Sequence, residues 1–224
     1  MQRGLIGGDR AGGARTGVEG NSRLTAGSGA ALFFLLAAEG VTILSVRGLL
    51  SAHVFIGMLL IPPVVVKLAS TGWRFFHYYR GTPAYVRKGP PPPILRLLGP
   101  AVVVLTVAVL ASGVALVLAP KAIGGRLLLI HKASFVLWFG AMAIHVLGHL
   151  VETARHAPSD WVRRTRRDVA GAGARQWAIV GSLVAGCILG AAMLGPASTY
   201  RVQRPRHDKG AAVSTSHAPV FSET

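Results

Sequence analysis

Apolar residues gather into five long stretches that are separated by short polar and basic connections. The stretches cover residues 30–46, 48–70, 97–118, 127–151 and 177–194. A transmembrane helix needs about 20 mostly apolar residues to cross roughly 30 Å of hydrocarbon, and each stretch is close to or above that length. The pattern therefore predicts an all-α membrane protein, built as a four-helix transmembrane bundle plus a fifth transmembrane helix.

The two ends of the chain differ in composition from the transmembrane domain predicted for residues 28–196. Residues 1–27 are rich in Gly and Arg, and residues 197–224 contain few apolar residues. Segments that cannot bury enough apolar surface stay disordered. We therefore predict a disordered basic leader and a disordered tail, and no soluble segment large enough to hold a catalytic domain of its own.

The net charge of +16 comes from the connections between the apolar stretches. A basic surface can indicate nucleic-acid binding, but Lys and Arg are also enriched in the cytoplasmic loops of membrane proteins. Here they are concentrated in the leader and in the loops after the second and fourth stretches. This arrangement predicts the lipid bilayer as the partner, not nucleic acid, with the N-terminus cytoplasmic. The Arg-, Ala- and Gly-rich composition favours a bacterial plasma membrane.

Two histidines are predicted to lie at the same depth of the bundle. His53 follows the start of the second apolar stretch by about five residues, and His131 follows the start of the fourth by about four. An ionisable side chain in a membrane is costly and is a functional hypothesis. Two facing imidazoles can hold a haem iron, and Gly57, one turn from His53, would let a flat macrocycle approach the backbone.

A second haem on the same helix face has a less complete set of ligands. His145 and His149 lie on the same face of the fourth predicted helix as His131. His145 lies about 21 Å from His131 along that helix. The residue of the second helix at that depth is Lys67, which is not a usual haem ligand. His77 lies about 36 Å from His53 along the second helix, which exceeds the roughly 30 Å thickness of the hydrocarbon core. We predict one haem, and leave a second open.

Glu39 is the only acidic residue deep inside an apolar stretch. It could relay a proton at a quinol pocket, or it could orient a ligand histidine. A third interpretation is a protonated carboxyl group that is hydrogen-bonded within the bundle.

The histidine pattern resembles that of bacterial b-type membrane cytochromes. This group includes the b561 type and the cytochrome b subunits of nickel-iron hydrogenases and formate dehydrogenases. The resemblance covers the first four apolar stretches and rests on His53 in the second helix and on His131 with His145 in the fourth. The first stretch contains no histidine, whereas in this group the first helix contributes to the haem ligands. The second haem therefore lacks a ligand from that helix. Residues 131–150 also resemble part of an actinobacterial family of integral membrane proteins of unsettled function.

The resemblance implies haem b, with His53, His131 and His145 as axial ligands of the iron. It also implies electron transfer between a quinone pool and a partner redox subunit, so that the chain is at most the electron-transfer subunit of an oxidoreductase. No glycine-rich phosphate loop follows a predicted strand. The alternatives are a non-haem polytopic membrane protein, acting as an interaction subunit or small transporter, and a haem-free quinol-binding anchor.

Overall fold

The computed structural model describes residues 3–89, 93–162, 165 and 169–202, and all regular structure in this part of the chain is helical. The elements are α1 (Arg3–Leu44), α2 (Val46–Tyr79), α3 (Pro83–Lys88), α4 (Pro93–Leu118), α5 (Lys121–His156), a 3-10 helix (Ala157–Asp160), α6 (Ala172–Ala192) and α7 (Leu194–Val202). Five stretches are long and apolar enough to cross a membrane: Gly17–Leu44, Val46–Tyr79, Arg96–Leu118, Ala122–Val151 and Ala172–Ala192. The all-α fold with five candidate spans is confirmed.

The long helices α1, α2, α4 and α5 form a four-helix bundle, and α6 packs beside it as the fifth helix. Around the bundle, α1 contacts α2, α2 contacts α4, α4 contacts α5, and α5 closes the ring against α1. Helices α2 and α5 therefore lie on a diagonal, and their inward-facing side chains meet across the bundle axis. We refer to the two ends of the bundle as the Ser45 end, where α1 turns into α2, and the Asp160 end.

The start of the chain differs from the leader predicted for residues 1–27. Residues 17–27 are helical and continue α1 without a break. They pack against the bundle, because Gly20, Arg23 and Ala26 are all buried. The hydropathy pattern did not predict this first part of α1, because its buried residues are small or charged. The predicted tail begins inside α7, and residues 203–224 lie outside the described residues.

Helix α6 approaches α2 at two glycines that are one turn apart. A Cβ atom on Gly186 would lie 2.5 Å from the carbonyl oxygen of Leu59, and one on Gly190 would lie 2.8 Å from that of Phe55. Small residues four apart allow this close contact between membrane helices. The Leu59 carbonyl is also the one that Pro63, four residues later, cannot bond, because proline has no backbone N–H. The glycines of α6 thus cover the weakened part of α2.

A buried ionic cluster joins three helices at the Asp160 end. Asp160 is only 5% exposed and its carboxylate accepts hydrogen bonds from two nitrogens of the Arg175 guanidinium and, at 3.3 Å, from Arg23. The arginines also donate to backbone carbonyls, including that of Thr165. Burial raises the pKa of Asp160, but the hydrogen bonds and charges of Arg175 and Arg23 outweigh it and leave that pKa below its ordinary value.

Substitution of the α6 glycines tests the close approach of α6 to α2. We expect Gly186→Ala to lower the free energy of unfolding by about 1–3 kcal/mol, because the added Cβ forces the two backbones apart. Gly181→Ala is the matched control, since nothing lies within 4 Å of a Cβ at this position of the same helix. It should be neutral or stabilising by up to about 1 kcal/mol. Thermal unfolding in detergent measures both, and equal effects would contradict the packing described.

The ionic cluster predicts a pH-dependent contribution to stability. Because the folded pKa of Asp160 is lowered, its contribution is complete above the unfolded value of about 3.9 and is lost as the pH falls below it. Asp160→Asn should destabilise the protein by about 3 kcal/mol at pH 7, since two buried arginines lose their counter-charge. The difference from the unchanged protein should shrink below about pH 4.

The control for this prediction is Glu19→Gln, which removes the half-exposed carboxylate that Arg23 contacts one turn away. The Glu19 carboxylate is more exposed than that of Asp160 and lies 3.5 Å from Arg23, so its removal should cost about 1 kcal/mol or less. Thermal unfolding between pH 3 and pH 7 compares the variants. A destabilisation by Asp160→Asn that stays constant over this range would show that the charge of Asp160 does not stabilise the fold.

Candidate functional site

Two imidazoles face each other across the bundle axis. His53 of α2 and His131 of α5 have ring centroids 6.3 Å apart and ring planes that are nearly perpendicular, at 80°. They lie on the diagonal helices, which otherwise share few contacts. The structure therefore brings together the two histidines that the sequence placed at one depth, closer to the Ser45 end than to the Asp160 end.

The ring of His53 is held by α1. Its Nδ1 lies 2.9 Å from Oε1 of Glu39 and 3.0 Å from the hydroxyl of Thr42. The Thr42 hydroxyl lies 3.1 Å from the other carboxylate oxygen of Glu39 and 2.6 Å from the Glu39 backbone carbonyl. When Glu39 is ionised, its carboxylate can only accept, and the contact then favours the His53 tautomer that carries its proton on Nδ1.

The ring of His131 is held by α4 through neutral partners. Its Nδ1 lies 3.1 Å from the carbonyl oxygen of Val109 and 3.1 Å from the hydroxyl of Ser112. A carbonyl oxygen only accepts, so here too the proton belongs on Nδ1. A Cβ atom on Gly113 would lie 3.2 Å from Cε1 of the ring, and the glycine therefore makes room for the imidazole against α4.

The spacing of the two rings and their hydrogen bonds are compatible with one metal ion between them. Both Nδ1 atoms are used in hydrogen bonds, and no hydrogen bond to either Nε2 is found within the described residues. A neutral imidazole with its proton on Nδ1 presents a lone pair on Nε2, which is how metal-bound histidines are usually oriented. With metal–nitrogen bonds of about 2 Å, two such rings on one ion would have centroids roughly 6 Å apart.

The chemistry of the pair, two imidazoles without a third ligand in the described part of the chain, is compatible with a haem iron. In the described part of the chain, no three His, Cys, Asp or Glu side chains come close enough to hold a metal together. Haem iron needs only axial ligands from the protein, because the macrocycle fills the other positions. The residues present therefore fit a haem iron.

A hydrogen-bonded tryptophan joins α5 to α4 about two turns from His131. Trp138 is 8% exposed, and its indole nitrogen donates to the hydroxyl of Thr106 at 2.9 Å. The hydroxyl of Thr106 in turn donates to the carbonyl of Val102. This pairing holds α5 against α4.

The sequence interpretation missed the hydroxyl groups of the site. Thr42 follows Glu39 by three residues, which puts both on one face of α1, and this spacing was a usable signal. Ser112 and Thr106 gave no such signal, because the packing of α4 on α5 decides which of their neighbours they reach.

The second histidine layer is not a bis-histidine pair. The rings of His145 and His149, both on α5, lie 4.9 Å apart, and Nδ1 of His145 is buried without a hydrogen-bond partner in the described part of the chain. On α2, Lys67 donates to the carbonyl of Thr25 in α1 at 2.7 Å. The structure therefore places His145 and His149 together on α5, with no histidine of α2 opposite them.

His77 and Gly57 have other neighbours. His77 stacks on Tyr85 with centroids 5.1 Å apart, contacts Trp73, and its Nδ1 lies 3.1 Å from the Thr82 hydroxyl. Gly57 lies beside Glu39, and a Cβ there would be 3.6 Å from its Oε1. The contact of Gly57 with a macrocycle stays a prediction.

No protein-family model, no curated protein and no solved structure matches the chain. The likeness to b-type cytochromes therefore rests on the histidine pattern.

The contact of His131 with α4 can be tested by substituting Gly113. We expect Gly113→Val to displace the imidazole and to cost about 1–3 kcal/mol through overpacking, which lowers the thermal midpoint by about 2–4 °C per kcal/mol. Gly140→Val in α5 is the control, because nothing lies within 4 Å of a Cβ at that mid-helix position. Thermal unfolding in detergent measures both variants, and an unchanged midpoint for Gly113→Val would contradict the tight contact.

Proposed function

We propose that this chain is a haem b-binding membrane protein that transfers single electrons, with His53 and His131 as the axial ligands. The observation that carries the proposal is the pair of imidazoles on diagonal helices, 6.3 Å apart, each anchored through Nδ1. A histidine that only stabilises a helix contact needs no such counterpart. Haem, when bound, supplies the one-electron chemistry.

The residues around the pair hold the two rings and keep water away. Val109 and Glu39 fix the Nδ1 tautomers of the histidines that they contact. Trp138 on α5, and Val54 and Met58 on α2, are buried apolar residues of the two helices that carry the histidines. Fixed ligand orientation and a dry surrounding are the means by which a protein tunes such a group.

One haem is the number that the described residues support. At the second layer, Lys67 occupies the position of α2 that lies 14 residues after His53, and its ammonium group donates to the Thr25 carbonyl. A Cβ atom on Gly29 would lie 2.9 Å from this ammonium, so α1 lies tightly against it. His145 therefore has no histidine partner from α2 at its depth.

The distribution of positive charge supports an orientation in which the Asp160 end is cytoplasmic. This end carries many arginines, including Arg23, Arg74, Arg80, Arg87, Arg155 and Arg175, whereas the Ser45 end carries Arg47 and Arg126. In this orientation the His53–His131 pair lies in the outer half of the bacterial plasma membrane. Electrons would pass between a quinone or quinol in the bilayer and a partner redox subunit.

The deciding experiment is a reduced-minus-oxidised visible spectrum of the detergent-purified chain, with a pyridine haemochrome count of haem per chain. We expect a b-type spectrum and one haem per chain, which is lost in His53→Ala and in His131→Ala because each removes an axial ligand. Two controls should keep the haem: His145→Ala in the second layer, and His156→Ala, whose side chain contacts Glu19 at the Asp160 end.

Three results would contradict parts of the proposal. A colourless protein, produced with adequate haem supply, would contradict haem binding and favour a non-haem interaction subunit or small transporter, or a haem-free quinol-binding anchor. Two haems per chain, with one lost in His145→Ala, would contradict the single site. Retention of haem in His53→Ala together with loss in His145→Ala would move the ligand set to the second layer.

A further inference from the structure

We propose that Glu39 is a positioning residue that acts through His53 to lower the reduction potential of the site. The inference rests on the proposed function, because it concerns the electronic effect of an axial ligand. It starts from an asymmetry: the partner of His53 is a carboxylate on α1, whereas the partners of His131 on α4 are a carbonyl and a hydroxyl. The two ligands of one iron are therefore not equivalent.

The geometry commits Glu39 to this contact. Its side chain is 13% exposed, and Oε1 lies 2.9 Å from Nδ1 of His53. The hydroxyl of Thr42 lies 3.1 Å from Oε2 and fixes the second oxygen. Gly57 packs opposite the carboxylate with no side chain, and any larger residue there would contact Oε1. Each carboxyl oxygen thus lies within hydrogen-bond distance of a side chain, and the Thr42 hydroxyl divides its single proton between Oε2 and the closer Glu39 backbone carbonyl.

The charged groups around Glu39 do not cancel its effect. Within the described residues, no lysine or arginine forms a salt bridge with it, and the imidazoles of His53 on α2 and His131 on α5 are the titratable groups that face it. In the low dielectric of a helix bundle, a carboxylate acts strongly on a neighbouring group. Among the described residues, the ring of His53 is therefore the group on which the Glu39 side chain acts most directly.

A carboxylate that accepts the Nδ1 proton makes the other ring nitrogen a stronger electron donor. A stronger donor stabilises the more positive, oxidised iron, and the reduction potential falls. The neutral partners of His131 have a weaker effect of the same kind, because a hydrogen bond to an ionised acceptor is about twice as strong as a neutral one. Among the residues that contact the two imidazoles, Glu39 therefore has the largest effect on the reduction potential.

The test compares three variants by redox titration at one fixed pH, with haem content measured in parallel. Glu39→Gln keeps the shape but removes the charge, and we expect it to retain haem and to shift the midpoint potential to a more positive value. Glu39→Asp restores a carboxylate and should return the potential toward that of the unchanged chain. Ser112→Ala is the matched control on His131 and should change the potential much less, since Val109 still accepts from Nδ1.

A second readout needs no haem. In haem-free chain with labelled histidine, the Nδ1 proton of His53 should resonate further downfield than that of His131, and should move upfield in Glu39→Gln. An unchanged resonance would overturn the positioning role, and so would an unchanged potential in a haem-loaded Glu39→Gln variant. If the unchanged chain binds no haem but the resonance shifts as expected, the haem function fails while the Glu39–His53 coupling stands. Loss of haem in Glu39→Gln that Glu39→Asp rescues would support the role.

Discussion

Water is excluded from the hydrocarbon core of a bilayer, and every polar group placed there must find its partner within the protein. The fold meets this requirement in two ways. Backbone groups are paired inside long helices, and the few polar side chains of the bundle interior bond to each other or to carbonyls. Thr106, Ser112 and Ser182, all buried, return their hydroxyl protons to carbonyls of their own helices. His145 is an exception, because its buried Nδ1 has no hydrogen-bond partner among the residues that the structure describes.

The two ends of the bundle meet the same requirement with different chemistry. At the Asp160 end, a carboxylate is surrounded by two guanidinium groups, and the cluster ties α1 and α6 to the segment that follows α5. Near the Ser45 end, the single carboxylate of Glu39 is paired with an imidazole and a hydroxyl, with no strong base beside it in the described part of the chain. The first arrangement uses full opposite charges and suits a structural clamp. The second leaves a net negative influence on a ring that has a free nitrogen, and suits a site that is tuned by its neighbours.

The sequence was sufficient for the helices and for the depth of the two main histidines, because both follow from the hydropathy pattern and the rise per residue. His53 and His131 could be matched since each lies a few residues from the start of its stretch. The pairing of Arg175 with Asp160 could not be foreseen, because basic loop residues are expected in any membrane protein and their partners depend on how α6 returns to α1. The extension of α1 through residues 17–27 was missed for a related reason, since small and charged residues carry no hydropathy signal even when tertiary contacts bury them.

If the proposed haem is bound, the diagonal placement of α2 and α5 limits how many such groups the bundle can hold. A ligand pair on diagonal helices must meet across the axis, so both helices need a suitable side chain at the same depth. Along α2 this condition is met at His53, and 14 residues later the same face presents Lys67, whose ammonium already bonds to α1. The histidines of the second layer, His145 and His149, lie on a single helix four residues apart. Two imidazoles on one helix face the same side of any flat macrocycle and cannot bind its iron from both faces, so the second layer needs a ligand from another helix before it can equal the first.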